Sequence, residues 1–102
     1  MLAIDVGRRR VTTAQGSANP TALDFDLLLA FASSPGQVLS RRQLLHAVWK
    51  DDDYVYERVV DVHIRTLRRA LGDDAINPHV IETVRRVGYR FLPTPTGEPA
   101  LS

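Results

Sequence analysis

The sequence contains no cysteine, and this absence excludes disulfide bonds and thiolate metal sites. Aromatic residues make up only 7% of the 102 residues, and there is a single tryptophan. No apolar run approaches the roughly 18 residues that a membrane-spanning helix needs. The stretch from Met1 to Arg10 places its arginines after a short apolar part, the reverse of the order in a secretory signal peptide. These absences are compatible with a cytoplasmic location.

A large net charge is also absent, because 13 basic side chains nearly balance 12 acidic ones. The distribution is uneven, however: seven arginines and four acids lie between Arg58 and Leu92, whereas aspartates cluster at Asp24, Asp26 and 51–53. A molecule with one basic half can orient on a polyanion. The 44% hydrophobic content predicts one globular domain with a real core.

The stretch from Glu57 to Gly72 predicts a helix with two different faces. Its apolar residues recur at helical spacing and form a narrow stripe: Val60, Ile64, Leu67 and Leu71. The opposite side carries Arg58, Val62, Arg65, Thr66 and Arg69, with Asp61 and Arg68 on its flank. A stripe of this kind needs a protein core, and an arginine-rich face suits a phosphate-lined groove. A solvated surface helix is the alternative.

Residues 1–20 predict a small antiparallel meander. Leu2, Ile4 and Val6 alternate with other residues, 7–10 supply a turn, and the β-branched run 11–13 returns before a second turn at 15–17. We interpret the three arginines of the first turn as a solvated hairpin tip rather than a phosphate contact.

Two shorter helices are predicted next. Thr21 caps the first, Asp24 complements its positive end, and Pro35-Gly36 terminates it. Its apolar face is interpreted as core: Phe25, Leu28, Leu29 and Ala32. After a very short strand at 38–39, Ser40 and Gln43 form a capping box that opens the second helix.

The second helix turns Leu44, Leu45 and Val48 inward. Arg41 and Arg42 lie in its first turn, where the helix dipole disfavours cations and a nearby phosphate would offset that cost. Trp49 ends the helix, either as a core aromatic or as a ring beside a sugar-phosphate backbone.

The connection from Lys50 to Tyr56 must be exposed, because three aspartates cannot enter a core. Its two tyrosines make a protein-contact surface one interpretation. Residues 80–92 then predict a hairpin, called the wing below, with Arg85 and Arg86 at its tip. The proline-rich segment 93–102 is expected to be disordered.

A short capped helix, a connection and a longer basic helix make a helix-turn-helix variant. If the long helix enters the major groove, the wing can reach the neighbouring minor groove or the backbone. The predicted class is therefore α+β: a winged helix-turn-helix with an N-terminal antiparallel sheet, three helices and a C-terminal β-hairpin wing. Residues 1–20 and 21–92 form one domain in this interpretation.

Three blocks closely resemble the OmpR/PhoB-type winged-helix effector domain of bacterial response regulators: LSRRQLLHAVW (39–49), RVVDVHIRTLRRALG (58–72) and IETVRRVGYRF (81–91). The likeness spans about residues 21–92. It implies sequence-specific binding to promoter DNA, usually by two subunits on adjacent half-sites. The helix 58–71 is called the recognition helix below.

The resemblance also implies roles for single residues. Those expected near backbone phosphate are Arg41, Trp49, Arg58, His63, Arg65 and Arg68, and Arg69 belongs to the same arginine face. Those expected to face base edges are Val59, Asp61 and Thr66. Those expected on the wing, at backbone or minor groove, are Thr83, Arg85 and Tyr89, and Arg86 adds a further cation to the wing. Members of the family tend to meet RNA polymerase through the loop that here holds Asp51, Asp52, Asp53, Tyr54 and Tyr56.

Four positions depart from the usual family pattern. Val59 and Thr66 stand where threonine and arginine are common, and Arg86 and Arg42 stand where glycine and an acid are common. The threonine at position 66 removes a bidentate reader of guanine, worth about 1–3 kcal/mol of discrimination. Base preference therefore cannot be carried over from the family.

The family usually places a phosphorylated receiver domain ahead of this one, and Met1 leaves little room for a full first strand. We expect an excised effector domain, with a stand-alone regulator as the alternative. An enzyme is not expected, because the three histidines lack metal-ligand spacing and no phosphate loop or nucleophile motif is present. No cofactor or metal is expected. A winged domain that serves only protein interactions is the remaining alternative.

Overall fold

The structure is a computed structural model that describes residues 2–50 and 55–92. Its helices are α1 (Ala22–Ala32), α2 (Arg41–Trp49) and α3 (Arg58–Leu71). Its strands are β1 (Leu2–Asp5), β2 (Arg10–Thr13), β3 (Gly16–Ala18), β4 (Val38–Ser40), β5 (Ile81–Val84) and β6 (Gly88–Phe91). The predicted class, with an N-terminal sheet, three helices and a C-terminal hairpin, is confirmed.

The strands form two three-stranded antiparallel sheets. The first has the order β1-β2-β3, as the predicted meander requires, although β3 begins at Gly16, inside the stretch predicted to turn. The second has the order β4-β6-β5, so the short strand before α2 pairs with the wing. Gly88 lies where β6 crosses β4, and a Cβ there would come within 2.0 Å of the Leu39 carbonyl oxygen. This close approach explains the glycine and joins the wing to the entrance of α2.

The helix ends follow the capping signals in the sequence. The Thr21 hydroxyl accepts the Asp24 N–H at 3.2 Å. At α2 the Ser40 hydroxyl accepts the Gln43 N–H, and the Gln43 side chain accepts the Ser40 N–H. Gly72 ends α3 in the left-handed conformation, with a φ of 68°. These local bonds satisfy backbone groups that a helix leaves unpaired.

The core lies between the three helices and the wing sheet, and Leu2 and Val11 of the N-terminal sheet also belong to it. The predicted stripe of α3 is confirmed, because its four apolar side chains are buried: Val60, Ile64, Leu67 and Leu71. The prediction for α1 was incomplete. Leu27 and Phe31 are fully buried beside Phe25 and Leu28, whereas Leu29 and Ala32 are only partly buried. The reason is that α1 packs against α2, α3 and β6 at once, so it is covered on more than one face.

The tip of the first hairpin is only partly solvated, so the interpretation of its three arginines as a solvated tip is wrong for Arg9. Arg9 adopts a left-handed φ of 51°, and its guanidinium group lies 4.6 Å from the ring centroid of Phe25. The same group donates to the Ala22 carbonyl at 2.9 Å and to the Asp26 carboxylate at 2.8 Å. Arg9 therefore attaches the N-terminal sheet to α1, while Arg8 and Arg10 remain exposed.

Two predictions lie outside the described residues. One concerns most of the proposed polymerase loop, at 51–54, and the other concerns the segment 93–102. Within the described part, no helix is both long enough and apolar enough to cross a bilayer.

Candidate nucleic-acid interface

The exposed face of α3 is basic, as the helical pattern predicts. Arg58, Arg65 and Arg69 are exposed on one side of the helix, with Val62 and Thr66 beside them. At the wing tip, Arg85 and Arg86 are also exposed. Within residues 2–50 and 55–92, no side chain accepts a hydrogen bond from Arg65, Arg69, Arg85 or Arg86. These cations are therefore available to a polyanion.

Arg68 holds the wing against α3. Its Nη2 donates to the Ile81 carbonyl and to the Thr83 hydroxyl, both at 2.8 Å, and its guanidinium carbon lies 5.8 Å from the Tyr89 ring centroid. The exposed arginines of the helix and those of the wing tip thus belong to one connected unit. Arg68, expected near phosphate, is placed here in contacts within the protein, while Thr83 remains exposed.

Asp61 joins three elements through a single carboxylate oxygen. Its Oδ1 accepts from Tyr89 Oη at 2.5 Å and from Arg41 Nε at 2.8 Å. Burial raises the pKa of Asp61, but the hydrogen bonds from Tyr89 and Arg41, with the charges of Arg41 and Arg58, lower it overall. Burial and the bond to Asp61 raise the pKa of Tyr89 to about 12. The bond to Asp61 raises the pKa of Arg41.

A second carboxylate holds the other flank of α3. Asp24, from α1, is 2% exposed; its Oδ1 contacts His63 Nδ1 at 2.8 Å and its Oδ2 accepts from Thr66 Oγ1 at 2.6 Å. The Trp49 ring lies against the His63 ring, with centroids 5.4 Å apart. Asp24 thus bonds two residues that the resemblance associates with DNA.

The remaining predicted residues divide between surface and core. Val59 is half-buried and packs against the core, so only part of its side chain faces outward. Tyr56 is exposed beside the start of α3. Arg42 is exposed and lies 3.5 Å from the Glu57 carboxylate. Arg86 adopts a left-handed φ of 68°, the conformation for which glycine is favoured.

No group of histidine and acidic side chains within the described part of the chain is arranged to hold a metal ion. The exposed arginines of α3 and of the wing tip instead make a surface suited to binding an anion along its length.

Residues 15–91 match the protein family described as "Transcriptional regulatory protein, C terminal". The chain belongs to this family. The expected resemblance to OmpR/PhoB-type effector domains is therefore confirmed, and the family is one of transcription regulators rather than of enzymes.

Named relatives and a solved structure agree with the assignment of this effector domain. Regulatory protein VirG of Agrobacterium tumefaciens is 48% identical over 84 residues, which are 82% of this chain and 32% of VirG. The phosphate regulon regulator PhoB of Klebsiella pneumoniae is 42% identical over 90 residues, which are 88% of this chain and 39% of PhoB. The chain therefore spans about a third of the length of these relatives.

The solved structure is the DNA-binding domain of Klebsiella pneumoniae RstA in complex with the RstA box. It superposes on this effector domain with a TM-score of 0.79 at 37% identity, covering 89% of this chain and 90% of the RstA chain. The likeness extends over nearly the whole of both chains, so it includes the N-terminal sheet, the three helices and the wing.

Sequence reasoning missed the main role of Asp24 in this effector domain. Its position in the first turn of α1 explained it as a partner of the helix dipole, and nothing in the local pattern pointed to α3. His63 and Thr66 follow it by 39 and 42 positions. The only available signal was the acid itself, which occupies a turn that otherwise carries apolar residues.

Proposed function

We propose that this effector domain binds double-stranded DNA sequence-specifically and regulates transcription as part of a two-component response regulator. In the proposed complex, α3 enters the major groove and the wing lies at the minor groove. The observation that carries the proposal is the connected basic surface formed by α3 and the wing, which Arg68 joins through Ile81 and Thr83.

The chemistry of this surface favours DNA over an acidic protein. Arg65 and Arg69 lie one helical turn apart on α3, and Arg85 and Arg86 extend from the wing tip. Guanidinium groups donate in a planar fork that suits phosphate oxygens, and a narrow minor groove attracts an inserted arginine. The RstA domain that resembles this chain forms a complex with its DNA box, which supports the same partner here.

We further propose which residues contact the backbone phosphates, the minor groove and the base edges. Arg58, Arg65 and Arg69 bind backbone phosphates, and Arg85 and Arg86 bind at the minor groove. Asp61 faces a base edge through Oδ2, since its Oδ1 is engaged by Tyr89 and Arg41. Further residues proposed at the interface are Arg41, Trp49, Val59, His63, Thr66, Arg68, Thr83 and Tyr89.

Selection of bound sequences from a random duplex pool tests this proposal. We expect one preferred sequence, bound with an affinity that falls steeply as salt rises, by about 0.9 log units per log unit of salt for each phosphate contact. Footprinting of that sequence should protect two adjacent half-sites, as expected for two subunits. Recovery of no preferred sequence, with binding that does not respond to salt, would contradict the proposal.

The domain is proposed to act within a longer protein in the bacterial cytoplasm, where promoter DNA is found. VirG and PhoB are about three times as long as the matched region, which leaves room for a receiver domain that a sensor kinase phosphorylates. We propose that the loop 50–56 contacts RNA polymerase. Alanine substitution of Tyr56 should then reduce transcription in vitro without changing DNA affinity.

Two alternatives make different predictions. A domain devoted to protein interaction would bind an acidic partner and show no sequence preference in the selection. A stand-alone regulator would bind the selected DNA equally well with and without a receiver domain attached. We propose no catalytic role, and a metal-dependent nuclease assay on the selected duplex should show no cleavage.

A further inference from the structure

Asp24 is the buried charged residue of the described part of the chain, and both its oxygens are used by α3. His63 Nδ1 lies 2.8 Å from Oδ1, and Thr66 Oγ1 lies 2.6 Å from Oδ2. An ionised carboxylate only accepts hydrogen bonds, so the imidazole nitrogen that faces it must carry a proton. The Asp24 carboxylate therefore determines which nitrogen of His63 is protonated when the ring is neutral.

The other ring nitrogen is left for an external partner. Within residues 2–50 and 55–92, Nε2 of His63 has no hydrogen-bond partner, and 26% of the side chain is exposed. A neutral ring with its proton on Nδ1 presents a lone pair at Nε2, which repels a phosphate oxygen. A protonated ring presents an N–H there and can donate a charge-assisted hydrogen bond to that oxygen.

We propose that Asp24 and His63 make DNA binding by this domain proton-linked. On binding, the His63 ring takes up one proton and bridges the Asp24 carboxylate, through Nδ1–H, and a backbone phosphate, through Nε2–H. Asp24 is a positioning residue in this arrangement, because it acts on the DNA only through the α3 side chains that it bonds, and His63 is the one that takes up the proton. The inference rests on the proposed function and adds its dependence on pH.

The surroundings of the ring support this assignment. The groups that contact it are Asp24 from α1 and Trp49 from α2, and Thr66 lies one turn further along α3 and shares the same carboxylate. Of these, Asp24 alone carries a charge, so a positive ring has an anion on the protein side. Trp49, tilted by 59° against the ring, restricts its rotation. The bridge therefore requires little rearrangement of the ring.

Fluorescence anisotropy with the selected duplex at pH 6 and pH 8 tests the inference. Because one proton is taken up, we expect affinity to be about five- to tenfold higher at pH 6. The salt slope at pH 6 should exceed that at pH 8 by about 0.9, since one phosphate contact is added. A duplex of unrelated sequence should show the same pH dependence, because phosphate contacts do not depend on sequence.

Three variants distinguish a positioning role of Asp24 towards His63 from a purely structural role in the fold. Asp24→Asn keeps the shape of the side chain but removes its charge, and His63→Gln removes the imidazole ring. Both should flatten the pH profile, and the double variant should be no flatter than His63→Gln alone. His79→Gln removes an exposed histidine from the loop before β5 and should keep the wild-type profile.

The outcomes distinguish the inference from the proposed function. Equal pH profiles and salt slopes for the wild type and His63→Gln would overturn the inference while leaving DNA binding intact. Absence of binding to any duplex at either pH would overturn the proposed function as well. If Asp24→Asn does not fold, the His63→Gln comparison and calorimetric measurement of proton uptake in two buffers still decide the question.

Discussion

The hydroxyl of Tyr89 donates a hydrogen bond to Oδ1 of Asp61 at 2.5 Å and so ties the wing to the recognition helix. Arg41 donates to the same oxygen from α2. One carboxylate therefore joins β6, α3 and α2, the elements that carry most of the proposed DNA contacts. The angle between the recognition helix and the wing depends on this junction. That angle decides whether the helix and the wing can enter neighbouring grooves of one duplex.

Substitution of Tyr89 by phenylalanine should weaken the junction. The ring remains in the core, but the hydrogen bond to a charged group is lost, so we expect the free energy of unfolding to fall by about 1–2 kcal/mol. Urea unfolding followed by the fluorescence of Trp49, the sole tryptophan, measures the change. Tyr56→Phe is the matched control, because Tyr56 is 78% exposed and should leave stability unchanged. Equal effects of the two substitutions would contradict the role of the Tyr89 hydroxyl.

Part of the fall in the free energy of unfolding at acid pH should come from Asp61. Its folded-state pKa lies below the ordinary aspartate value of 3.8, so the unfolded chain binds more protons near that pH and stability falls as pH falls through that range. The stability difference between the wild type and Asp61→Asn should be constant from pH 6 to 8 and shrink below about pH 4. Urea titrations at a series of pH values measure this, and a difference that grows on acidification would reverse the expected sign.

Part of the fall in the free energy of unfolding at alkaline pH should come from Tyr89. Its folded-state pKa of about 12 lies above the ordinary tyrosine value of 10.0, so the protonated hydroxyl stabilises the fold fully below pH 10. That contribution is lost as pH rises from 10 towards 12. The Tyr89→Phe variant should lack this part of the alkaline decline, and urea titrations of both proteins provide the comparison.

Substitution of Arg65 by alanine should weaken binding to every duplex. We expect the salt slope to fall by about 0.9, because a single phosphate contact is lost. Arg10→Ala is the control, since Arg10 is an exposed arginine at the start of β2 and away from α3. Anisotropy titrations across a salt series measure both variants. An unchanged slope for Arg65→Ala would show that this residue does not bind phosphate.

Substitution of Arg86 by glycine should change the stability of the fold and the affinity for DNA in opposite directions. Arg86 has a φ of 68°, so glycine should raise the free energy of unfolding by about 0.5–1 kcal/mol after allowance for its greater freedom in the unfolded chain. DNA affinity should nevertheless fall, mainly at A·T-rich flanks, because a minor-groove cation is lost. Arg85→Gly should lower both, since Arg85 is not in the left-handed region, so glycine relieves no strain there and only adds freedom to the unfolded chain. Urea unfolding and anisotropy with two flanking sequences report the two effects.

Features that depend on neighbouring residues could be predicted from the sequence. The buried apolar stripe of α3 follows from the helical spacing of its apolar residues, and the end of the helix follows from Gly72. The caps at Thr21 and Ser40 follow from the ability of a hydroxyl to accept a nearby backbone N–H. The wing follows from two β-rich runs around a turn. In each case the deciding interactions lie within a few positions.

Features that join distant positions could not be predicted. Leu27 is buried because α1 is enclosed by other elements, which the periodicity of α1 alone does not reveal. The pairing of β4 with β6 brings Leu39 opposite Tyr89, fifty positions along the chain. Asp73 is a similar case, since its carboxylate accepts the N–H groups of His79, Val80 and Ile81 where the chain enters β5.

The sequence by itself determined the family, the elements and the arginine-rich face, because these depend on residue type and on periodicity along a helix or strand. The tertiary structure decided which polar side chains face outward and which are held within the protein. Asp24 engages His63 and Thr66, and Asp61 engages Arg41 and Tyr89, across separations of 20 to 42 positions. Such pairs form because a carboxylate that loses water, wholly at Asp24 and partly at Asp61, must find donors, and only the packed chain places those donors within reach.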